Sequence, residues 1–140
     1  MRFFRTCLPA IALIVLAGCE GFSLFVGVNN GRLLVAVSVN PTVIDPIQFP
    51  NGQVQFTASG NFNMAPMIEN PMTNVMWTVD RPAFGTAPDP GHATISQTGL
   101  AQCAVGFIGT VQVFATSAAN PSQPLSQSNQ VVGTARMNCP

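Results

Sequence analysis

The chain has 140 residues, a formal net charge of zero, and charged side chains at only 7% of its positions. This length allows a single domain, and the few basic side chains, all arginine, exclude the cluster of Lys and Arg through which proteins bind nucleic-acid phosphates. A hydrophobic content of 47% disfavours intrinsic disorder, because the chain has enough apolar surface to bury.

The first 18 residues have the composition of an export signal. Arg2 and Arg5 give a positively charged start, and an uninterrupted apolar run follows at Leu8–Ala17. A membrane-spanning helix needs about 20 apolar residues, so this run is too short to span and is typical of a signal peptide. The sequence therefore predicts a signal peptide over 1–18.

The signal ends in Leu16-Ala17-Gly18-Cys19, which resembles the lipobox of bacterial lipoproteins. In that family the cysteine thiol receives a diacylglyceryl group, and the chain is cleaved just before it. The resemblance implies a mature protein anchored in the bacterial cell envelope by lipid on Cys19; the alternative is an ordinary secretory signal with an incidental cysteine. Glu20, where some inner-membrane lipoproteins carry Asp, favours the outer membrane, on its periplasmic or surface side.

An apolar stretch, Phe22–Val28, comes next and leads into Asn29-Asn30-Gly31. These residues fit an extra strand that turns through the Asn-Asn-Gly sequence, or a tether lying near the bilayer. Residues 19–32 are therefore interpreted as a lipidated tether or an extra strand, followed by one domain over 33–140.

The rest of the chain alternates between apolar and polar residues in short runs separated by proline and glycine. A period of two predicts half-buried antiparallel strands. The runs are Leu33–Val39, Gln53–Ala58, Val75–Val79, Ala93–Ile95, Leu100–Val105, Thr110–Thr116 and Gln130–Cys139. Their near-regular spacing indicates an all-β fold, an antiparallel β-sandwich. The stretch Gly60–Thr73, rich in Asn, Met and Pro, is interpreted as a loop too irregular for a strand.

The alternation also assigns side chains to the core. Trp77 lies between two valines of its strand, where a large aromatic ring fills the space between sheets. Gly99 is interpreted as a turn glycine with positive φ. The other residues expected on the buried faces are Leu33, Val35, Val37 and Val39, then Val54, Phe56 and Ala58, and finally Val111, Val113 and Ala115.

Several segments together resemble bacterial Ig-like domains of the group 2 type. They are Val35–Pro41, Gly52–Gly60, Val75–Val79, Ala93–Ala101 and Gly109–Ala115, so the resemblance covers about residues 33–140. The chain departs from that family in a longer loop at 61–73, a proline-rich stretch at 80–91 and two added cysteines. The resemblance implies an immunoglobulin-like sandwich of about seven strands, serving as a binding or spacer module without catalytic activity.

Those two cysteines, Cys103 and Cys139, predict a disulfide in an exported protein. Structural zinc normally takes four N or S ligands, which the sequence does not supply there; two free buried thiols are the alternative. The last two strands are expected to form a hairpin with its loop at about Ala118–Gln127. Opposed residues would then have index sums of about 242–244, which places Cys103 nearly opposite Cys139 at the open end.

No motif predicts catalysis. His92 is the only histidine, and the nearby Asp89, Thr94 and Ser96 are expected to diverge from it or to point to opposite faces of a strand. No Gly-x-Ser-x-Gly sequence occurs, and the carboxylates are too scattered for a calcium loop or a glycosidase pair. We expect no enzymatic activity and no cofactor.

A methionine cluster gives a remote alternative. Met64, Met67, Met72 and Met76 are close in sequence, and thioethers are ligands suited to Cu(I). No Cys or His joins the set, and methionine commonly fills irregular apolar gaps. Packing is therefore the favoured interpretation, and no metal is expected.

The predicted function is that of a lipid-anchored, exported, non-enzymatic module. It would bind a protein or glycan partner at the bacterial envelope, as in adhesion, through loops at one end of the sandwich. A structural accessory subunit of an envelope complex is the alternative.

Overall fold

The computed structural model describes residues 31–48 and 52–140. Within them the chain forms strands and one turn of 3-10 helix at Pro46–Gln48. The strands are β1 (Leu34–Asn40), β2 (Val43–Ile44), β3 (Gln53–Gln55), β4 (Thr57–Phe62), β5 (Ile68–Glu69), β6 (Met76–Val79), β7 (Ala93–Ile95), β8 (Leu100–Cys103), β9 (Gly109–Ser117) and β10 (Val131–Cys139). The predicted signal peptide, Cys19, Glu20 and the stretch Phe22–Val28 lie outside the described residues.

Two layers of strands enclose the core. In one layer β4 pairs with β1 and β5, while β3 pairs with β8, which pairs with β7. Only Phe56 separates β3 from β4, so these strands are consecutive parts of one extended segment. The other layer has the order β2, β10, β9, β6. This is the strand arrangement of an immunoglobulin constant-type domain, with β2 added parallel to β10. The predicted immunoglobulin-like β-sandwich is confirmed.

The core between the layers is apolar. Phe56 and Met137 are fully buried, and Trp77 is 6% exposed beside them. Because successive side chains of a strand point to opposite sides, alternation in β3, β4 and β9 as far as Ala115 buries every second residue. The inward-facing residues predicted for these strands are all buried, namely Val54, Phe56, Ala58, Val111, Val113 and Ala115.

The buried face predicted for β1 is wrong in its first half. Leu34 is 4% exposed, whereas Val35 is 63% exposed. The register between β1 and β4 shifts between Leu34 and Ala36, where a β-bulge adds one residue. The extra residue reverses which side chains point inward, so that Leu34 and Val39 are both buried although they differ in parity.

The stretch Gly60–Thr73 contains more strand than the sequence predicts. β4 continues to Phe62, and β5 pairs antiparallel with it. The N–H of Met72 then donates to Ala58 O at 2.8 Å. This segment therefore returns along the edge of β4. The two-residue strand β5 is defined by its pairing with β4.

β9 and β10 form the predicted hairpin, but in a different register. Ser117 pairs with Val131 and Gly109 with Cys139, so opposed residues have an index sum of 248. The loop at 118–130 is longer than predicted, and the Asn129 side chain forms hydrogen bonds across it. Its Oδ1 accepts from Asn120 N–H at 2.7 Å, and its Nδ2 donates to Pro124 O at 3.0 Å.

The strand directions place the loops at two opposite ends of the sandwich. The N-terminal end comprises residues 31–33, the loop 63–75 and the loop 118–130; hydrogen bonds join Leu33 to Asn63 and Leu34 to Ala119. The disulfide end comprises residues 45–48, the loop 80–92, the loop 104–108 and Pro140. The domain therefore begins at one end, and Pro140 lies at the other.

Candidate functional site

Ionisable side chains are concentrated in the loop 80–92 at the disulfide end. The described residues contain eight Asp, Glu, His and Arg side chains, and this loop carries four of them: Asp80, Arg81, Asp89 and His92. Prolines in the loop prevent it from continuing the ladder of β6, since proline cannot donate a backbone hydrogen bond. Half of the ionisable side chains in the described residues therefore lie on one short segment.

Asp80 fixes the start of this loop. Its φ of 59° lies in the left-handed region, which Asp tolerates better than most residues do. Its N–H donates to Gln112 O at 2.8 Å, and its Oδ1 accepts from Gln112 N–H at 3.3 Å. The backbone of β9 therefore orients the carboxylate and leaves its Oδ2 for a second partner.

That partner is His92. Its Nδ1 lies 3.0 Å from Asp80 Oδ2, and its ring stacks on Phe107 with centroids 4.1 Å apart. The carbonyl of His92 accepts from Ala104 N–H at 2.8 Å. His92 thus holds the loops 80–92 and 104–108 together.

Asp89, which is close to His92 in sequence and was expected to diverge from it, bonds within its own turn. Asp89 Oδ1 accepts from Gly91 N–H at 2.9 Å and shapes the loop locally. Ser96 Oγ lies 2.8 Å from Thr98 Oγ1 within the turn between β7 and β8. Among the described residues, no hydroxyl or thiol is hydrogen-bonded to His92. The Asp80–His92 pair therefore joins the loop 80–92 to β9 and to the loop 104–108.

A cleft of about 250 Å³ opens beside the loop, between the edge strands β6 and β7. Its wall includes Trp77, and its polar groups come from Thr78, Arg81, Asp89 and Thr94. One Arg81 nitrogen, Nη1, donates to Ala87 O at 3.1 Å, and Thr78 Oγ1 donates to Arg81 O at 2.6 Å. The cleft thus combines an apolar floor with a cation, a carboxylate and two hydroxyls, the mixture expected of a small polar binding site.

The same end of the sandwich also exposes apolar side chains. Ile47 is 68% exposed, Ile108 is 79% exposed, and Val105 is fully exposed. A second cleft of about 310 Å³ lies near Ile47 and Pro140. The disulfide end therefore presents both polar and apolar surface to a partner.

The predicted disulfide is confirmed, although the geometry that predicted it is wrong. Cys103 and Cys139 are bonded, with their Cα atoms 5.8 Å apart. β8 ends at Cys103, before Val105, and Cys103 pairs with Ala93 of β7. The residue opposite Cys139 in the hairpin is Gly109. The bond consequently joins the two layers of the sandwich instead of closing one hairpin.

The N-terminal end is organised around Arg32. Its Nε and Nη2 donate to Pro66 O at 3.0 and 2.7 Å, and its Nη1 lies 3.6 Å from Glu69 Oε2. The guanidinium also sits 3.4 Å above the centre of the Phe62 ring. Leu33 N–H donates to the Asn63 side chain at 2.7 Å. Residues 31–33 and the loop 63–75 therefore form one unit.

The four methionines are spread over this region in different environments. Met64 and Met67 are 45% and 60% exposed on the loop 63–75, and Met76 is 42% exposed on β6. Met72 is half-buried against the core, and its Sδ would lie 2.7 Å from a Cβ added at Gly60. The described residues contain no group of three or more His, Cys, Asp or Glu side chains placed to bind a metal ion. Met72 packs against the core beside Gly60.

Two other positions singled out in the sequence, Trp77 and Gly99, have structural roles. Trp77 belongs to the buried core cluster. Gly99 has a φ of +83°, and a Cβ there would meet the Phe56 carbonyl oxygen. The turn therefore requires glycine, as the sequence predicts.

Comparison with known proteins adds no relative. No protein-family model matches the chain, and no curated protein matches it. The resemblance to group 2 bacterial Ig-like domains therefore stays a prediction. Among the described residues, no helix has the length and apolar character needed to cross a membrane.

Proposed function

We propose that this chain is a lipid-anchored, non-enzymatic, bacterial Ig-like module of the cell envelope that binds a protein or glycan partner through its disulfide end. The Leu16–Cys19 sequence supports the anchor, and Glu20 favours the outer membrane. The anchored form should begin at Cys19 and carry acyl chains. C19A should abolish both lipidation and cleavage, which intact-mass spectrometry would detect.

The cleft between β6 and β7 is the observation that carries the binding proposal. It lies along the edge of the sandwich beside the loop 80–92, and Arg81 and Asp89 line it together with Thr78 and Thr94. Such groups donate to and accept from the polar groups of a peptide or a sugar. The hydrogen bonds from Asp80 to β9 and to His92 hold the loop in place before a partner arrives, which lowers the entropic cost of binding.

The test compares variants of the cleft with matched variants elsewhere. R81A and D89N remove a cation and a carboxylate from the cleft; R136A and D45N make the same changes outside it. The full-length protein in native membranes is crosslinked to its surroundings, and envelope proteins and glycans recovered with it are identified by mass spectrometry. The proposal expects R81A and D89N to lose a partner that R136A and D45N retain. Equal recovery by all four variants would contradict the assignment of the cleft.

A structural accessory subunit is the second candidate, and the exposed apolar side chains at the same end favour it. Ile47, Val105 and Ile108 would suit a permanent contact with one envelope protein better than a glycan. V105D and I108D should then release a stoichiometric partner during purification, whereas R81A should not. The two sets of variants therefore separate the two candidates.

A further inference from the structure

We propose that the loop 63–75 lies against the bilayer that carries the lipid anchor, with Met64, Met67 and Ile68 as its contact residues. This inference rests on the proposed lipidation of Cys19. It goes further by assigning which end of the sandwich faces the membrane and which side chains touch it.

Chain length limits how far the N-terminal end can lie from the lipid site. Only the residues between Cys19 and Gly31 separate the lipid site from the domain. Even fully extended, such a segment spans at most about 40 Å. The nine residues of β9 extend about 30 Å along the sandwich, so the disulfide end lies about that distance from residue 31, where the tether joins the domain. The end at which the chain enters therefore reaches the lipid surface with the least extension of the tether.

The entry point is bound directly to the loop 63–75. Arg32 is hydrogen-bonded to Pro66 and paired with Glu69, and Leu33 is bonded to Asn63. A force or a tether acting at residue 31 is thus transmitted to this loop. Held at the surface by acyl chains, the loop needs only a weak affinity for lipid to stay in contact with it.

The surface of the loop is suited to the bilayer interface. Met64, Met67 and Ile68 are 45%, 60% and 66% exposed on neighbouring positions. Among the described residues, the only charged side chains of the N-terminal end are Arg32 and Glu69, and these pair with each other. Their charges cancel, so no uncompensated charge opposes insertion of the apolar side chains. The other described ionisable side chains lie on β10 or toward the disulfide end.

Methionine oxidation can test the orientation in the full-length, lipidated protein. I108M adds a reporter methionine at a site that is 79% exposed on the disulfide end, and a charged, water-soluble oxidant is applied to the protein reconstituted in phosphatidylethanolamine–phosphatidylglycerol vesicles. Exposure controls methionine oxidation. If neither end of the sandwich touched the bilayer, Met67 and the reporter would therefore be oxidised at comparable rates. The proposal expects Met64 and Met67 to be protected relative to the reporter. Equal rates, or protection of the reporter alone, would overturn it.

A second pair of variants separates bilayer contact from local packing. Both variants are made in the I108M protein. M67D should raise the oxidation rate of Met64 to that of the reporter, whereas the matched variant M67L should leave Met64 protected. A Met64 rate that is the same in both variants would contradict the proposal. Flotation of the vesicles is measured in parallel: protein that does not float refutes the anchor and this inference together, whereas floating protein with an unprotected loop refutes this inference alone.

Discussion

Removal of the disulfide should destabilise the domain strongly. The bond closes a loop between positions 36 apart in sequence, and the chain-entropy relation gives about 4 kcal/mol of stabilisation for such a loop. A domain of this size has an unfolding entropy that converts 1 kcal/mol into about 4 °C. The double variant C103A/C139A should therefore melt about 15 °C below the native protein.

The location of the bond makes this estimate a test of the fold. Cys103 ends β8 in one layer and Cys139 ends β10 in the other, where it is 5% exposed. Alanine at both sites avoids leaving a free thiol, and it removes little buried volume compared with the loss of the crosslink. Most of the expected change therefore comes from freeing the unfolded chain.

The assay is thermal unfolding followed by far-ultraviolet circular dichroism on the full-length protein. The native protein treated with a phosphine reductant provides a control without any substitution, and it should melt close to the double variant. A shift below about 3 °C for both samples would refute the reasoning, because it would mean that the crosslink does not restrict the unfolded chain.

Three further changes test other parts of the structure. G133A should destabilise the domain by about 1–3 kcal/mol, since a Cβ at Gly133 would lie 2.6 Å from a carbonyl oxygen of β1; urea unfolding measures this, with T134A as the exposed neighbouring control. N129A should cost about 1–2 kcal/mol by removing the bonds that hold the loop 118–130, and N138A on β10 should cost less. Titration with Cu(I) should show no site, and tight binding that is lost in M64L/M67L would contradict this.

The strands could be predicted from the sequence because their pattern is local. Alternation with a period of two gave the positions of seven strands, and proline and glycine marked the breaks between them. The bulge in β1 could not be predicted this way, because Leu34 and Val35 are both apolar and the register shift depends on β4. β5 has two residues and no pattern of its own, so only its pairing with β4 defines it.

The disulfide shows how a correct pairing can follow from an incorrect geometry. Counting cysteines was sufficient to select Cys103 and Cys139, because Cys7 lies in the predicted signal peptide and Cys19 is the predicted lipid site. The hairpin register depends on the length of the loop 118–130, which is stabilised by side-chain bonds of Asn129. Those bonds join residues several positions apart and leave no periodic signal, so the predicted register was offset from the observed one.

The candidate site was even less accessible to sequence reasoning. Asp80 and His92 are 12 positions apart and come together because β6 ends beside β9 and the loop returns to β7. The nearer carboxylate, Asp89, bonds within its own turn. The one available signal was composition, because a loop with four ionisable groups is unusual in a chain with charged residues at only 7% of its positions.

A series of hydrogen bonds joins the disulfide to the candidate site. Cys103 is followed by Ala104, whose N–H donates to His92 O, and the His92 ring is bonded to Asp80. Asp80 in turn is held by both backbone groups of Gln112 on β9. These contacts connect the disulfide to Asp80, which directly precedes the cleft residue Arg81. Formation of the disulfide therefore does more than stabilise the sandwich, because it also restrains the loops 104–108 and 80–92 beside the cleft.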